Sequence, residues 1–151
     1  MELILVEALK TIFSPQVLIM IILCILMDVY YKKFIGMAGE FWVKKELKKL
    51  PDEYLVINDI MIKTKDGITH QIDHVVISKY GIFVIETKQY NGYIKGNDYD
   101  KRWLIKNGKK KIYVNNPLHQ NYGHVKSLEE ILNLPEENFI SLVCIPSRAI
   151  L

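Results

Sequence analysis

The sequence predicts an α/β domain, a mixed sheet flanked by helices, preceded by a single transmembrane helix. Three observations carry that reading. Strongly apolar strand-like runs crowd residues 54–88, amphipathic helical stretches stand on either side at 39–50 and 117–133, and eleven uninterrupted apolar residues, Val17–Met27, come before them. A chain of 151 residues has room for one domain and an anchor. The boundaries expected are 1–33 for the anchor, with its helix at about 12–31, and 34–151 for the domain. Cys24 and Cys144 both fall in apolar runs, so no disulfide framework is expected, which suits a reducing compartment. No internal repeat, low-complexity tract or nucleotide-binding glycine loop is present.

At the front, Ser14 is a good N-cap and Pro15 suits the first helical position. Residues 15–31 contain only Gln16 and Asp28 as clear polar interruptions. Seventeen residues rise about 25 Å against a hydrocarbon core of roughly 30 Å, and Thr11–Phe13 would supply the difference. Amphipathic Leu3–Leu9 suits a surface position. Lysines follow the run at 32 and 33 while only Lys10 precedes it, so the positive-inside rule places the C-terminal domain in the cytoplasm of a single-pass cell-membrane protein. A cleaved signal peptide fits less well, since Glu2 and Glu7 oppose Lys10 and no small-x-small site closes the run. A buried soluble helix is the alternative.

Residues 39–50 read as a helix closed by Pro51, with Glu40, Val43, Leu47 and Leu50 on one stripe and Lys44, Lys45, Lys48 and Lys49 on the wet side. Glu40 is then either a first-turn residue favoured by the helix dipole or an acidic group turned towards a site. Tyr54–Ile62 reads as a strand, and Lys65-Asp66-Gly67 turns the chain back into a meander.

Gln71–Ser78 and Gly81–Lys88 form the next hairpin. With Lys79-Tyr80 as a two-residue loop, Val75 faces Val84, Asp73 faces Glu86 and Gln71 faces Lys88, all on one side. Opposed residues have Cβ atoms roughly 4.5–5.5 Å apart, so two carboxylates would meet in strands that otherwise read as buried. Charge there is costly unless paired or metal-bound. Mg²⁺ commonly takes only one or two protein carboxylates, and Asp73 with Glu86 supplies that minimum. A bound ion would activate water while Lys88 orients the nucleophile or offsets developing charge. The plainer alternative is a solvated carboxylate pair with Lys88 as a salt-bridge partner. Lys-Tyr is poor chemistry for a tight turn, and a left-handed bulge at Gly81 would slip the register, setting Asp73 opposite Thr87.

Beyond Lys88, Tyr90-Asn91-Gly92-Tyr93 reads as a turn. Lys106-Asn107-Gly108-Lys109 marks a hairpin between Trp103–Ile105 and Ile112–Val114. Lys95, Lys101, Arg102 and Lys109 stand among tyrosines on this ribbon, a pattern suited to phosphates and stacked bases. A solvated edge ribbon would also carry lysines. Pro117–Asn133 reads as a helix with Leu118, Val125, Leu128, Ile131 and Leu132 on its apolar side; Gln120 and His124 share a face. A lone His124 is more often packed than catalytic, and His74, adjoining Asp73, points to the opposite side. The four histidines lack zinc spacing. Phe139–Ile145 reads as one more buried strand.

Asp73 followed by Glu86-Thr87-Lys88 resembles the D…E-x-K core of the PD-(D/E)XK nuclease superfamily. The wider frame resembles the nuclease-related domain (NERD) family within it. The matching segments are Gly36–Glu40, Gln71–Ile77, Gly81–Lys88 with Tyr90-Asn91-Gly92, and Asn116–Gln120, so the resemblance covers about residues 36–146. It implies a restriction-endonuclease-like core and phosphodiester hydrolysis with Mg²⁺ or Mn²⁺. Asp73 and Glu86 would bind metal and Lys88 would assist the nucleophile. Glu40 would be a further acidic group and Gln120 a substrate-positioning glutamine. Residues 32–151 hold nineteen Lys+Arg against fourteen Asp+Glu, which suits a nucleic-acid partner, DNA foremost, or anionic lipid. Two further classes compete: a non-catalytic, membrane-tethered binding module that kept the fold, and a structural membrane protein whose basic residues contact headgroups.

Overall fold

The computed structural model describes residues 13–146. In chain order the elements are helix α1 (Pro15–Leu47), strands β1 (Leu55–Lys63), β2 (Thr69–Ser78), β3 (Gly81–Thr87), β4 (Tyr93–Lys95), β5 (Arg102–Asn107) and β6 (Lys110–Asn115), helix α2 (Pro117–Leu132), a 3₁₀ turn (Glu136–Asn138) and strand β7 (Phe139–Cys144). The expected meander forms because β1, β2 and β3 are consecutive and joined by short turns; Gly67 at φ 87° makes the first. After α2 the chain returns parallel to β3, which completes a four-stranded mixed sheet in the order β1-β2-β3-β7. Strands β4, β5 and β6 form a second, antiparallel sheet. The α/β class with a mixed sheet and helices is therefore as expected.

β2 and β3 bury both faces, as their double-sided apolar runs require. On one side Val75, Ile82 and Val84 meet Val125 and Leu128 of α2 and Phe139. On the other, Val76 and Ile85 meet Val43 of α1. Each fully buried Val or Leu contributes about 1.5–3 kcal/mol, so these two seams hold α2 and the end of α1 to the sheet. Asn116 caps α2, its side chain accepting from the Leu118 amide, and Asn133 ends it in the left-handed conformation at φ 52°.

Four expectations change. Residues 39–50 are not a separate helix: α1 runs unbroken to Leu47, because single glycines at 36 and 39 each cost only about 1 kcal/mol relative to alanine. Among the described residues no helix is long and apolar enough to cross a membrane, so the anchor expected over 12–31 is not supported. The uninterrupted apolar run of α1 is Val17–Met27, about 16 Å of rise, and Asp28 ends it. Leu3–Leu9 lies outside the described residues. Tyr93 opens strand β4 instead of closing a turn, because Gly92 (φ 109°) lets the chain press against β5: a Cβ there would lie 2.3 Å from the Lys106 carbonyl oxygen. Finally, β7 is an edge strand with Leu142 exposed, and Ile131 and Leu132 of α2 are exposed as well.

The chain divides into two compact units, Met1–Met37 and Ala38–Leu151. All the sheet, α2 and the last turns of α1 belong to the second unit. In the first, Leu18, Ile22, Leu26 and Val29 are exposed and join neither apolar cluster.

Candidate active site

The β2–β3 hairpin closes through Lys79-Tyr80, with Ser78 opposite Gly81 and Val75 opposite Val84. The slipped register is not adopted. Gly81 carries the positive φ (134°) that this short reversal needs. The ladder's last pair is His74–Ile85, and Asp73 and Glu86 come next. There the two strands stop pairing, and the Asp73 carboxylate takes over: its Oδ2 accepts from the Thr87 amide at 2.7 Å.

β1 is also irregular at this level. Its pairs with β2 step from Asn58–His74 to Ile60–Ile72, leaving Asp59 beside Asp73, and Asp59 has φ 55°. Non-glycine residues rarely take that conformation, aspartate more readily than most. Residues three apart on a regular strand face opposite sides, yet Ile72 and Val75 enter one apolar cluster. The alternation therefore breaks between them, at Asp73. Asp59 is held in turn by Gln71, whose Nε2 donates to Oδ1 at 2.7 Å.

Glu86 is the centre of the arrangement. It is 2% exposed, and its two oxygens have different surroundings. Oε1 accepts from Gln120 Nε2 at 2.7 Å and lies 2.6 Å from Lys88 Nζ. Oε2 has no hydrogen-bond partner among the described residues and lies 3.4 Å from His124 Nδ1. Burial pushes the Glu86 pKa up, the Lys88 hydrogen bond pulls it back, and the Asp73 charge adds to the rise. Asn121 fixes how α2 meets these groups: fully buried, it donates from Nδ2 to the Val84 carbonyl (2.8 Å), the Leu142 carbonyl (3.0 Å) and Ser141 Oγ (2.8 Å).

Glu40, on α1, is exposed, and its carboxyl pKa is raised by burial first, then by the charges of Asp73 and Asp59. A Cβ on Gly39 would sit 2.7 Å from Gln89 Oε1, so that glycine lets α1 approach the exit of β3 and sets Glu40 near the carboxylates. Tyr90 is half-buried, and its phenol is pushed up to about 12 by burial and by Glu86.

Thus Asp73, Glu86, Lys88, Gln120 and Glu40 come together electrostatically or by contact. Lys95, Lys101, Arg102 and Lys109 do not touch this group: Lys95 and Arg102 lie on the second sheet, Lys101 just before β5, and Lys109 in the β5–β6 turn. That sheet is tied to α2, however. Asn116 Nδ2 donates to the carbonyls of Asn97, Asp98 and Asp100, and His119 Nε2 lies 2.6 Å from the Asp98 carbonyl. Gln120 is the next residue. His74 faces away, its Nδ1 2.7 Å from Asn58 Oδ1.

Sequence reasoning missed Asp59, Asn121 and the place of His124. His124 is 5% exposed, stands at Glu86 and packs edge-on to His70 with ring centroids 6.0 Å apart. Its shared face with Gln120 was the available signal. Burial holds its pKa down, as does the His70 charge.

Among the described residues no three His, Cys, Asp or Glu side chains gather into a ready-made metal cage. The donors fit a hard cation carried by one or two carboxylates and otherwise by water. Glu86 Oε2, buried and without a hydrogen-bond partner, is the atom that such an ion would satisfy.

Residues 35–146 match the family model described as Nuclease-related domain. An uncharacterised protein of Bacillus anthracis is 45% identical to this chain over 101 residues, which is 66% of this chain and 48% of that protein. The chain thus spans about half the length of that curated relative. No solved structure matches.

Proposed function

Because the chain belongs to the nuclease-related domain (NERD) family, we propose that it hydrolyses phosphodiester bonds in nucleic acid, DNA foremost, with Mg²⁺ or Mn²⁺. The observation that carries this is the division of labour on Glu86. Gln120 and Lys88 both engage Oε1, which leaves Oε2 without a hydrogen-bond partner among the described residues, and Glu86 and Asp73 are the carboxylates that would hold the cation. A bound divalent ion supplies polarisation of the phosphoryl oxygen and a water acidic enough to attack at neutral pH. Asp73, pinned by the Thr87 amide, keeps its carboxylate at the end of the hairpin. Lys88, whose side chain is 26% exposed at the mouth of the site, meets with its Nζ the charge that develops on the phosphate. Glu40, its pKa raised by burial and by the charges of Asp73 and Asp59, holds a proton more firmly than an ordinary carboxyl.

The test uses the full chain with labelled DNA and RNA, single- and double-stranded, in Mg²⁺, Mn²⁺ and EDTA. Asp73→Asn, Glu86→Gln and Lys88→Met proteins run alongside. Metal-dependent cleavage that falls by about 100-fold or more in each variant supports the reading. Absence of cleavage in every metal, with binding intact in all the variants, overturns it in favour of a non-catalytic binding module.

A further inference from the structure

The second sheet buries one face along β4 and β5 and leaves the other open, and the open face has a composition that metal chemistry does not use. Register fixes it. Tyr93, Lys106 and Lys111 lie side by side across β4, β5 and β6, and Lys95, Leu104 and Tyr113 form the next row. Arg102 follows on β5. Side chains opposite one another in a ladder point the same way, so these share a face. Every one but Leu104 is exposed, while Ile94, Trp103 and Ile105 on the reverse are buried. The open face therefore presents four cations and two tyrosine rings with no carboxylate.

The sheet beneath is braced. Trp103 Nε1 donates to the Asn97 carbonyl at 3.0 Å, and the Asn116 side chain gathers the 97–100 loop at the start of α2. The rings thus stand on a fixed floor.

We propose that this face is a platform for single-stranded nucleic acid, with Tyr93 and Tyr113 stacking on bases and Lys95, Arg102, Lys106 and Lys111 tracking the phosphates. The proposal deepens the nuclease reading and rests on it for the choice of polymer. Width argues against a duplex groove. A major groove about 12 Å wide admits a two-stranded ribbon, whereas three strands spaced about 4.8 Å apart span about 10 Å before any side chain is added. Exposed rings have nothing to stack on in a duplex, whose bases are already paired and stacked; in a single strand every base offers a face. The two tyrosines sit on the outer strands, about 12 Å apart from strand spacing and rise, so they meet different bases.

The measurement is fluorescence anisotropy of the full chain in EDTA, where no metal-dependent cleavage runs. The probes are an unstructured single-stranded DNA, the matching RNA, and a duplex of equal length. The expected result is tighter binding of single strands than of duplex. Tyr93→Ala and Tyr113→Ala should each weaken it about tenfold, and Tyr→Phe at either position should restore it. Paired replacement of Lys106 and Lys111 by Ala should lower the salt dependence of single-strand binding, for the DNA and RNA probes alike. Duplex bound as tightly as single strands, or alanine variants that bind like the parent, would overturn the platform. The two readings separate cleanly: tyrosine-dependent binding without cleavage in any metal sinks the nuclease alone. Cleavage with tyrosine-independent binding sinks the platform alone.

Discussion

Asn121→Ala tests how the candidate site is assembled, because this side chain hydrogen-bonds α2 to both β3 and β7. Its Nδ2 carries two N–H groups for three acceptors at 2.8–3.0 Å, so about two hydrogen bonds exist at any moment. Alanine removes these bonds in an interior where Asn121 itself is 0% exposed, while the Val84 and Leu142 carbonyls keep the backbone donors of the β3–β7 ladder. Each bond lost costs about 1–1.5 kcal/mol, giving about 2–3 kcal/mol for the two. The void left by the carboxamide adds about 1 kcal/mol. A loss of about 3–4 kcal/mol is a large part of the roughly 5–15 kcal/mol that holds a domain together. For a unit of the size of residues 38–151, each kcal/mol moves Tm by about 4 °C. The melting temperature in EDTA, followed by far-ultraviolet circular dichroism, should therefore drop by about 12–16 °C. The urea m-value should stay the same. A drop below about 4 °C with unchanged m-value would refute the argument and leave packing of Val125 and Leu128 as the main joint between helix and sheet.

Two more outcomes follow from burial and close approach. Burial holds the His74 pKa below its ordinary 6.5, so the unfolded chain takes up that proton first; the stability gained by keeping the ring neutral is present above about pH 6.5 and is lost as pH falls through and below it. His74→Gln should flatten the fall in urea midpoint between pH 7.5 and 5.5, by at most about 1.4 kcal/mol per pH unit; Glu40 and Glu86, raised from 4.5, run the other way in both proteins, and an unchanged slope would reject the assignment. At Gly96 an added Cβ would lie 2.1 Å from Trp103 Cδ1, so Gly96→Ala must expel the indole, costing about 1–3 kcal/mol. Tryptophan emission should shift to the red, since Trp42 is already half-exposed and contributes a constant background, and unmoved emission would show that the ring stays put.

The parts legible in the sequence are those that a period of two or a capping residue dictates. The hairpin register came from two apolar runs set two residues apart, and it places Glu86 and Lys88 on one side of the same strand end. Ser14-Pro15 announced the start of α1. Other features depend on forces with no local signature. The left-handed Asp59 shifts the alternation of its strand, and nothing in Asn58-Asp59-Ile60 marks it. His124 meets Glu86 only because Asn121 sets the roll of α2 on the sheet, so spacing showed its face but not its neighbour. The platform was half visible: its lysines and tyrosines were clear, but β4 was hidden by the turn-like Asn91-Gly92. Without that third strand the rows across the sheet do not exist. The long α1 misled in the opposite sense, since residues 39–50 read as a helix of their own yet belong to one that starts at Pro15.

Under the hydrolysis proposed above, the bond from the Thr87 amide gives Asp73 a structural job beside its metal-binding one, and that constrains which relatives can exist. Past the end of the ladder, this oxygen stands in for a strand partner. A lineage that abandoned hydrolysis would still need an acceptor there, and asparagine would serve. Lys88 has no such place in the strand pairing: its side chain reaches in to Glu86, while its backbone ties to the Cys144 carbonyl. Drift after loss of activity should therefore reach position 88 well before position 73. An oxygen-bearing side chain at 73 is the signature of the architecture, and the lysine is the better witness to the chemistry.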